Sequence, residues 1–207
     1  MTALIESHYL PSIAYFAALS PCNELLVERH ERYVKQSYRN RCYILNAQGR
    51  EMLTVPVSYS QGDLTTAVKI DYNQKWQNKH WRAIQTAYGN APFFEFYAER
   101  VRNIIFEKHV FLYDLNLQVL SFCLSLLKWT IPIKETLNYE KDPKSAIIDL
   151  RDKINAKNAT DWQELYRPEP YIQVFGNMFE PNLSLIDLIF CVGPEASGVV
   201  SKSYQLK

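Results

Sequence analysis

The first 28 residues contain three short apolar segments whose order leaves few folds open. Residues 3–7 are predicted to form a strand, residues 13–19 a short helix that follows Pro11, and Leu25-Leu26-Val27 a buried strand. A strand, a helix and a second strand over so short a stretch are typical of a βαβ unit. In such a unit the two strands are parallel and the crossover is right-handed. The amino-terminal sequence therefore predicts an α/β fold.

The pattern then changes from strands to helices. Residues 42–45 and 52–58 flank a short connection that contains Gly49, which predicts an antiparallel hairpin. Residues 76–129 place apolar side chains at helical spacing and predict three helices. Further on, residues 146–155 are predicted as a short helix and residues 171–175 as a strand. We expect one α/β domain over residues 1–207, in which a mixed sheet contains the βαβ unit and the hairpin. A helical middle segment follows, and residues 130–207 form a less regular C-terminal extension.

Composition and missing motifs exclude several classes of protein. The net charge of the 207 residues is +1, so we expect no nucleic-acid partner. A dinucleotide-binding G-x-G-x-x-G motif, a phosphate-binding loop and a zinc-ligand spacing of cysteines are all absent from the sequence. No metal is therefore predicted, and no motif identifies a cofactor. The four separated cysteines and the absence of a signal peptide at the start predict reduced thiols and a cytoplasmic protein.

The most apolar window, residues 115–129, is shorter than the roughly 18 residues that a membrane span needs. Its polar residues share one face of a helix: Gln118, Ser121, Ser125 and Lys128. A largely buried helix of a soluble protein is predicted here, and no membrane span.

Positive charge is concentrated in residues 28–41. This segment holds five Lys or Arg and two Glu, a local charge of +3 against −2 for the rest of the chain. It follows the second predicted strand, and ligands of open α/β sheets bind beyond the carboxyl ends of strands. Lys35, Arg39 and Arg41 are therefore candidates to bind a phosphate or carboxylate, with Tyr38 and Asn40 beside them. A solvated basic loop is the alternative, and nucleic-acid binding is the weakest interpretation.

Three histidines lie at positions where they could carry chemistry. His8 follows the first predicted strand and could act as a general base or bind an anion, or it could be a hydrogen-bonded loop histidine. His30 follows the second strand. His80 shares an apolar helix face with Trp76, so a core role competes with ligand binding.

Ordered motifs run along most of the chain: Tyr9-Leu10-Pro11, Tyr33-x-Lys35-x-x-Tyr38-Arg39-Asn40-Arg41, Leu53-Thr54-Val55-Pro56-Val57, Trp76-x-x-Lys79-His80-Trp81 and Tyr171-x-Gln173-Val174-Phe175. Their order and spacing resemble the WbqC-like family of bacterial proteins, often encoded among genes for O-antigen and other surface polysaccharides. The resemblance brings Lys79, His80 and Trp81 into the set of candidate substrate-binding residues.

This chain departs from the family pattern at two places. Many members carry His-Gln-Pro where it has Ile5-Glu6-Ser7, and paired Asp where it has Arg29-His30. If those family residues are catalytic, the chain either uses Glu6, His8 and His30 in their place or has lost the activity. We take these three residues as the catalytic candidates.

The resemblance implies an enzyme of surface-polysaccharide or nucleotide-sugar metabolism that transfers an acyl, aminoacyl or nucleotidyl group. Its partner would be a phosphorylated or carboxylated small molecule such as a nucleotide sugar. The alternative is a non-catalytic binding or assembly module of the same pathway. We expect one anion-binding cleft at the strand carboxyl ends, on which five side chains converge: His8, Lys35, Arg39, Arg41 and His80.

Overall fold

The computed structural model describes residues 1–156, 164–176 and 178–205. The strands are β1 (Thr2–Glu6), β2 (Glu24–Glu28), β3 (Arg41–Asn46), β4 (Gly49–Thr54), β5 (Val57–Ser58), β6 (Lys69–Ile70), β7 (Ile133–Glu135) and β8 (Ile147–Asp149). The helices are α1 (Ile13–Leu19), α2 (Trp76–Tyr88), α3 (Phe94–Phe106), α4 (Leu112–Leu126), α5 (Leu185–Val192) and α6 (Ala196–Lys202).

The central sheet is parallel and has the strand order β7-β2-β1-β8. Strands β1 and β2 pair in register, with Thr2 opposite Glu24 and Glu6 opposite Glu28, and α1 connects them. The predicted βαβ unit is therefore confirmed. Strand β7 adds to the outer side of β2, and β8 adds to the outer side of β1.

The hairpin forms as predicted, but it is a separate two-stranded sheet of β3 and β4. It does not extend the central sheet, in which β7 and β8 are the neighbours of β2 and β1. A third small sheet pairs β5 with β6. The predicted fold class is confirmed: a mixed α/β fold with a parallel sheet, an antiparallel hairpin and a helical middle segment.

Residues 147–149 form β8 where a helix was predicted, and residues 171–175 form no strand. Strand β7 lies within the stretch predicted to be irregular. Both three-residue strands are too short to show a period of their own. They exist because their backbones pair with β1 and β2.

The core lies between one face of the central sheet and the helices. Ala3, Ile5, Leu25 and Val27 alternate along β1 and β2, and all four are fully buried in the same core cluster as α1, which is itself buried throughout. Helix α4 buries its leucines except Leu117, which is partly exposed. Of the predicted polar stripe, Ser121, Ser125 and Lys128 are exposed and Gln118 is partly buried. No helix among the described residues combines the length and apolarity needed to cross a bilayer.

Candidate functional site at the carboxyl edge of the sheet

The four central strands are parallel, so their carboxyl ends meet at one edge of the sheet. Glu6 ends β1, Glu28 ends β2, Thr136 follows β7, and Arg151 lies two residues beyond β8. Next to this edge is a cleft of about 580 Å³, a size within the range of small-molecule sites. The cleft is lined by His30, Glu31, Arg32, Val34, Gly62, Leu64, Tyr139, Arg151 and Asp152.

Glu28 organises the centre of this edge. Its buried carboxylate accepts hydrogen bonds from the His30 backbone N–H (2.8 Å) and the Thr136 hydroxyl (2.7 Å), and it forms an ion pair with Arg151 (3.2 Å). Arg151 also pairs with Asp149, and the Tyr139 ring lies 4.9 Å from its guanidinium carbon. The ends of three strands are thereby tied together behind the cleft.

His30 is held in one tautomer by this arrangement. Its Nε2 lies 3.1 Å from the backbone oxygen of Thr136. A carbonyl oxygen can only accept, so Nε2 carries the proton and Nδ1 of the neutral ring is an acceptor. Within the part of the chain that the structure describes, Nδ1 forms no hydrogen bond. His30, a residue of the cleft wall, therefore carries a ring nitrogen that can accept a proton.

Glu6 and His8 form a pair below the cleft. The Nε2 of His8 donates to Oε1 of Glu6 (3.0 Å), and each residue is only 1% exposed. Burial alone would raise the pKa of Glu6, but the hydrogen bond from His8 and the charges of His8 and Arg39 lower it to about 2. The other oxygen of Glu6 accepts the backbone N–H of Asp152 (3.1 Å), which ties the pair to a residue of the cleft wall.

Arg39 is buried rather than open to a ligand. Its guanidinium makes two hydrogen bonds to Glu31 (2.8 and 2.6 Å) and one to Asp152 (3.1 Å), and the residue is 2% exposed. Burial disfavours the charged form, but the hydrogen bond to Glu31 and the charge of Glu6 raise the pKa of Arg39 above its usual range. The carboxylates of Glu31 and Asp152 thus bind the Arg39 guanidinium, which was expected to bind an anionic ligand.

The expected convergence of five side chains on one cleft does not occur. Lys35, Asn40 and Arg41 line a separate groove with Tyr33 and Tyr59. The segment around residues 32–35 divides the two surfaces: Arg32 and Val34 face the cleft, and Tyr33 and Lys35 face the groove.

Tyr38 is also buried, and it lines neither the cleft nor the groove. Its ring lies 5.4 Å from that of His8, and its hydroxyl accepts a hydrogen bond from Arg50 (3.4 Å). Tyr38 could stack on a ligand only if it lost these contacts with His8 and Arg50.

His80 lies in the core, as the alternative interpretation held. Its Nδ1 is 3.0 Å from the Tyr9 hydroxyl, and its Nε2 is 3.1 Å from the backbone oxygen of Thr54. Burial lowers the pKa of His80 to about 4, so the ring is neutral at physiological pH. Lys79 is exposed, and Trp81 packs against Phe94 with ring centroids 6.2 Å apart. None of the three lines the cleft or the groove.

Four residues at or beside the cleft carry no signal in the sequence: Thr136, Tyr139, Arg151 and Asp152. They follow β7 and β8, which only pairing with the central strands reveals. Within the described residues, no group of three or more His, Cys, Asp or Glu side chains is placed to hold a metal ion.

The fold and the cleft define an α/β protein with a small-molecule-sized site at the carboxyl edge of a parallel sheet. The model of the WbqC-like protein family matches residues 6–163, and the chain belongs to this family. An uncharacterized protein of Mycobacterium tuberculosis, Rv1507c, is 28% identical over an alignment of 228 positions that covers 94% of each chain. No solved structure matches the chain significantly.

Proposed function

We propose that this WbqC-like protein is a group-transfer enzyme that acts on an activated sugar in bacterial surface-polysaccharide or nucleotide-sugar metabolism. The transferred group would be acyl, aminoacyl or nucleotidyl, and the substrate a phosphorylated or carboxylated small molecule such as a nucleotide sugar. The observation that carries the proposal is the cleft at the carboxyl edge of the sheet, with His30 in its wall held in the tautomer whose Nδ1 can accept a proton.

The charges of the cleft suit a polar, uncharged ring. Its walls contain two carboxylates, Glu31 and Asp152, and two guanidinium groups, Arg32 and Arg151, so the sum of charges is near zero. Carboxylates accept hydrogen bonds from sugar hydroxyls, and the half-exposed Tyr139 offers an aromatic face to a sugar ring. The sugar part of the substrate is therefore assigned to the cleft.

His30 is the proposed general base. As the hydroxyl or amine of the acceptor attacks the activated carbon or phosphorus, its proton passes to Nδ1 of His30, and the leaving group departs with the electrons of the broken bond. The hydrogen bond from Nε2 to Thr136 keeps the ring in the required tautomer. Glu28, which binds both the His30 backbone and the Thr136 hydroxyl, is a positioning residue in this scheme.

A non-catalytic binding module is the second candidate, and one observation favours it. Glu6 and His8, two of the three catalytic candidates, are almost fully buried and bind each other. Neither residue lines the cleft, and Glu6 contacts the cleft wall through the backbone N–H of Asp152. If His30 is not a general base, the cleft binds a ligand without changing it chemically.

The test is to incubate the protein with UDP- and dTDP-sugars together with acetyl-CoA, ATP plus amino acids, or ATP alone. Binding is measured by calorimetry and transfer by mass spectrometry. We expect His30→Gln to reduce transfer by a factor of about 10²–10⁴ while sugar affinity stays within twofold of wild type. The glutamine can still donate to the Thr136 carbonyl but cannot accept the proton.

His109→Gln is the matched control, because His109 is half-buried and does not line the cleft. Wild-type turnover in His30→Gln would remove the proposed base. Sugar binding without transfer in any mixture would favour the binding module instead.

A further inference from the structure

Ion pairs with carboxylates neutralise two of the five cations of residues 28–41. Arg29 pairs with Glu135 (3.1 Å), and Arg39 is held by Glu31 and Asp152. The remaining cations therefore carry the excess positive charge of this segment.

Those cations are Arg32, Lys35 and Arg41. Arg32 lies on the cleft side, where it donates to the backbone oxygen of Gly62 (2.7 Å). Lys35 and Arg41 form no ion pair with any described residue, and both line the groove on the other side of the segment.

The groove has a volume of about 450 Å³, which suits a small ligand. It is lined by Tyr33, Lys35, Gln36, Asn40, Arg41, Thr54, Val55, Pro56, Val57, Tyr59 and Gln74. This set contains two cations, several neutral polar side chains and no carboxylate. The potential in the groove is therefore positive, in contrast to the balanced charges of the cleft.

The groove is also well ordered locally. The backbone oxygen of Asn40 accepts the N–H of Val55 (2.8 Å), and the Asn40 side-chain amide donates to the oxygen of Val55 (2.9 Å). This reciprocal pair fixes the backbone next to Arg41. The rings of Tyr33 and Tyr59, which also line the groove, have centroids 4.7 Å apart in an edge-to-face arrangement. A ligand would therefore meet a preformed surface, which reduces the entropic cost of binding.

We propose that this groove binds an anionic sugar, meaning a sugar unit that carries a phosphate or a carboxylate. Lys35 and Arg41 bind the anionic group, the tyrosine pair packs against the apolar face of the ring, and Gln36 and Gln74 hydrogen-bond to hydroxyls. Two unpaired cations match one small anion, whereas a nucleic acid strand needs a longer positive track. The proposal does not depend on catalysis in the cleft, because the two surfaces use different residues.

The test uses calorimetry with four probes. Glucose 1-phosphate is a sugar with a phosphate, and glucuronate is a sugar with a carboxylate. Glucose has the sugar ring without the anionic group, and inorganic phosphate has the anionic group without the sugar ring. We expect at least one of the two anionic sugars to bind more tightly than glucose and inorganic phosphate. Affinity for that sugar should fall about tenfold to a hundredfold in Arg41→Gln, as for a lost charged hydrogen bond.

Lys35→Gln is the second variant. Lys35 is exposed, so its loss leaves folding intact, and it should weaken binding in the same direction. Arg82→Gln, an exposed change on α2 outside the groove, should bind like wild type.

Binding should also persist in Tyr139→Ala, which removes the aromatic face assigned to the cleft and leaves every residue of the groove in place. Four results would overturn the proposal: no binding of either anionic sugar, equal binding of glucose, equal binding of inorganic phosphate, or unchanged affinity in both groove variants. Weakened affinity in Tyr139→Ala with unchanged affinity in Arg41→Gln would also overturn it, because the ligand would then occupy the cleft.

Discussion

Arg39 and Arg41 lie two residues apart in the chain but in opposite electrostatic environments. Arg39 is part of a turn and enters the protein, where Glu31 and Asp152 surround it. Arg41 begins β3 and remains partly exposed, without an ion pair among the described residues. An extended chain would have placed both side chains on one side, and the turn before β3 separates them. Arg39 is therefore part of the buried structure, whereas Arg41 is accessible to a ligand.

Arg39→Gln should destabilise the protein by about 3–5 kcal/mol, because it leaves the buried Glu31 carboxylate without its partner. Arg41→Gln should change stability by less than about 1 kcal/mol, since that side chain has no such partner. Urea denaturation of the two variants measures the difference directly. Adding Glu31→Gln to Arg39→Gln should restore part of the lost stability. Equal stabilities of the two single variants would contradict a structural role for Arg39.

At the scale of elements, one buried carboxylate joins α5 to the rest of the molecule. The Oδ2 of Asp187 accepts a hydrogen bond from Tyr88 of α2 (2.8 Å), and its Oδ1 accepts one from Tyr171. The Tyr88 hydroxyl in turn accepts the backbone N–H of Leu45 in β3 (3.1 Å). Burial raises the pKa of Asp187 to about 6, although the hydrogen bonds from Tyr171 and Tyr88 oppose the rise.

This elevated pKa predicts a pH dependence of stability. Between the usual Asp pKa of 3.8 and about 6, the folded state binds more protons than the unfolded state. The free energy of unfolding should therefore fall as pH rises through this window. Relative to Asp187→Asn, wild type should lose on the order of 2–3 kcal/mol between pH 4 and pH 7. Urea denaturation of both proteins at several pH values measures this difference, and a difference that is constant with pH would contradict the assigned cause.

At the scale of the whole molecule, the C-terminal part of the chain supplies two strands that pair with the N-terminal strands of the central sheet. Strands β7 and β8 pair with β2 and β1 after more than 100 intervening residues. Helices α5 and α6 then pack against α1, and the backbone of Ile13 donates to the oxygen of Leu183 (2.9 Å). Residues 130–207 thus contribute both edge strands of the sheet and part of the core around α1.

We therefore propose that residues 1–207 unfold as one cooperative unit. Tryptophan fluorescence and far-UV circular dichroism should give coincident urea transitions for the full chain. A fragment of residues 1–129 should not fold, because it would expose both edges of β1-β2 and one side of α1. A cooperative transition in that fragment would show that the C-terminal part is a separate unit.

The sequence alone determined the elements that carry their own local signal. The βαβ unit, the β3–β4 hairpin and the three middle helices follow from hydrophobic periods and turn residues within each segment. The family resemblance likewise rests on motifs that a single chain displays. Burial of Leu120, Leu124 and Leu127 follows from helical spacing in the same way.

Only the tertiary structure decided where the candidate sites lie. Strands β7 and β8 are three residues long and are stabilised by pairing with distant strands, so no local pattern predicts them or the residues that follow them, such as Tyr139 and Arg151. The direction of a charged side chain depends on which carboxylates the fold brings within reach. Ion pairs with Glu31 and Asp152 hold the guanidinium of Arg39 in a buried position, whereas Arg41 forms no ion pair with any described residue. Local periodicity thus specifies the elements, while long-range pairing and charge neutralisation specify the cleft and the groove.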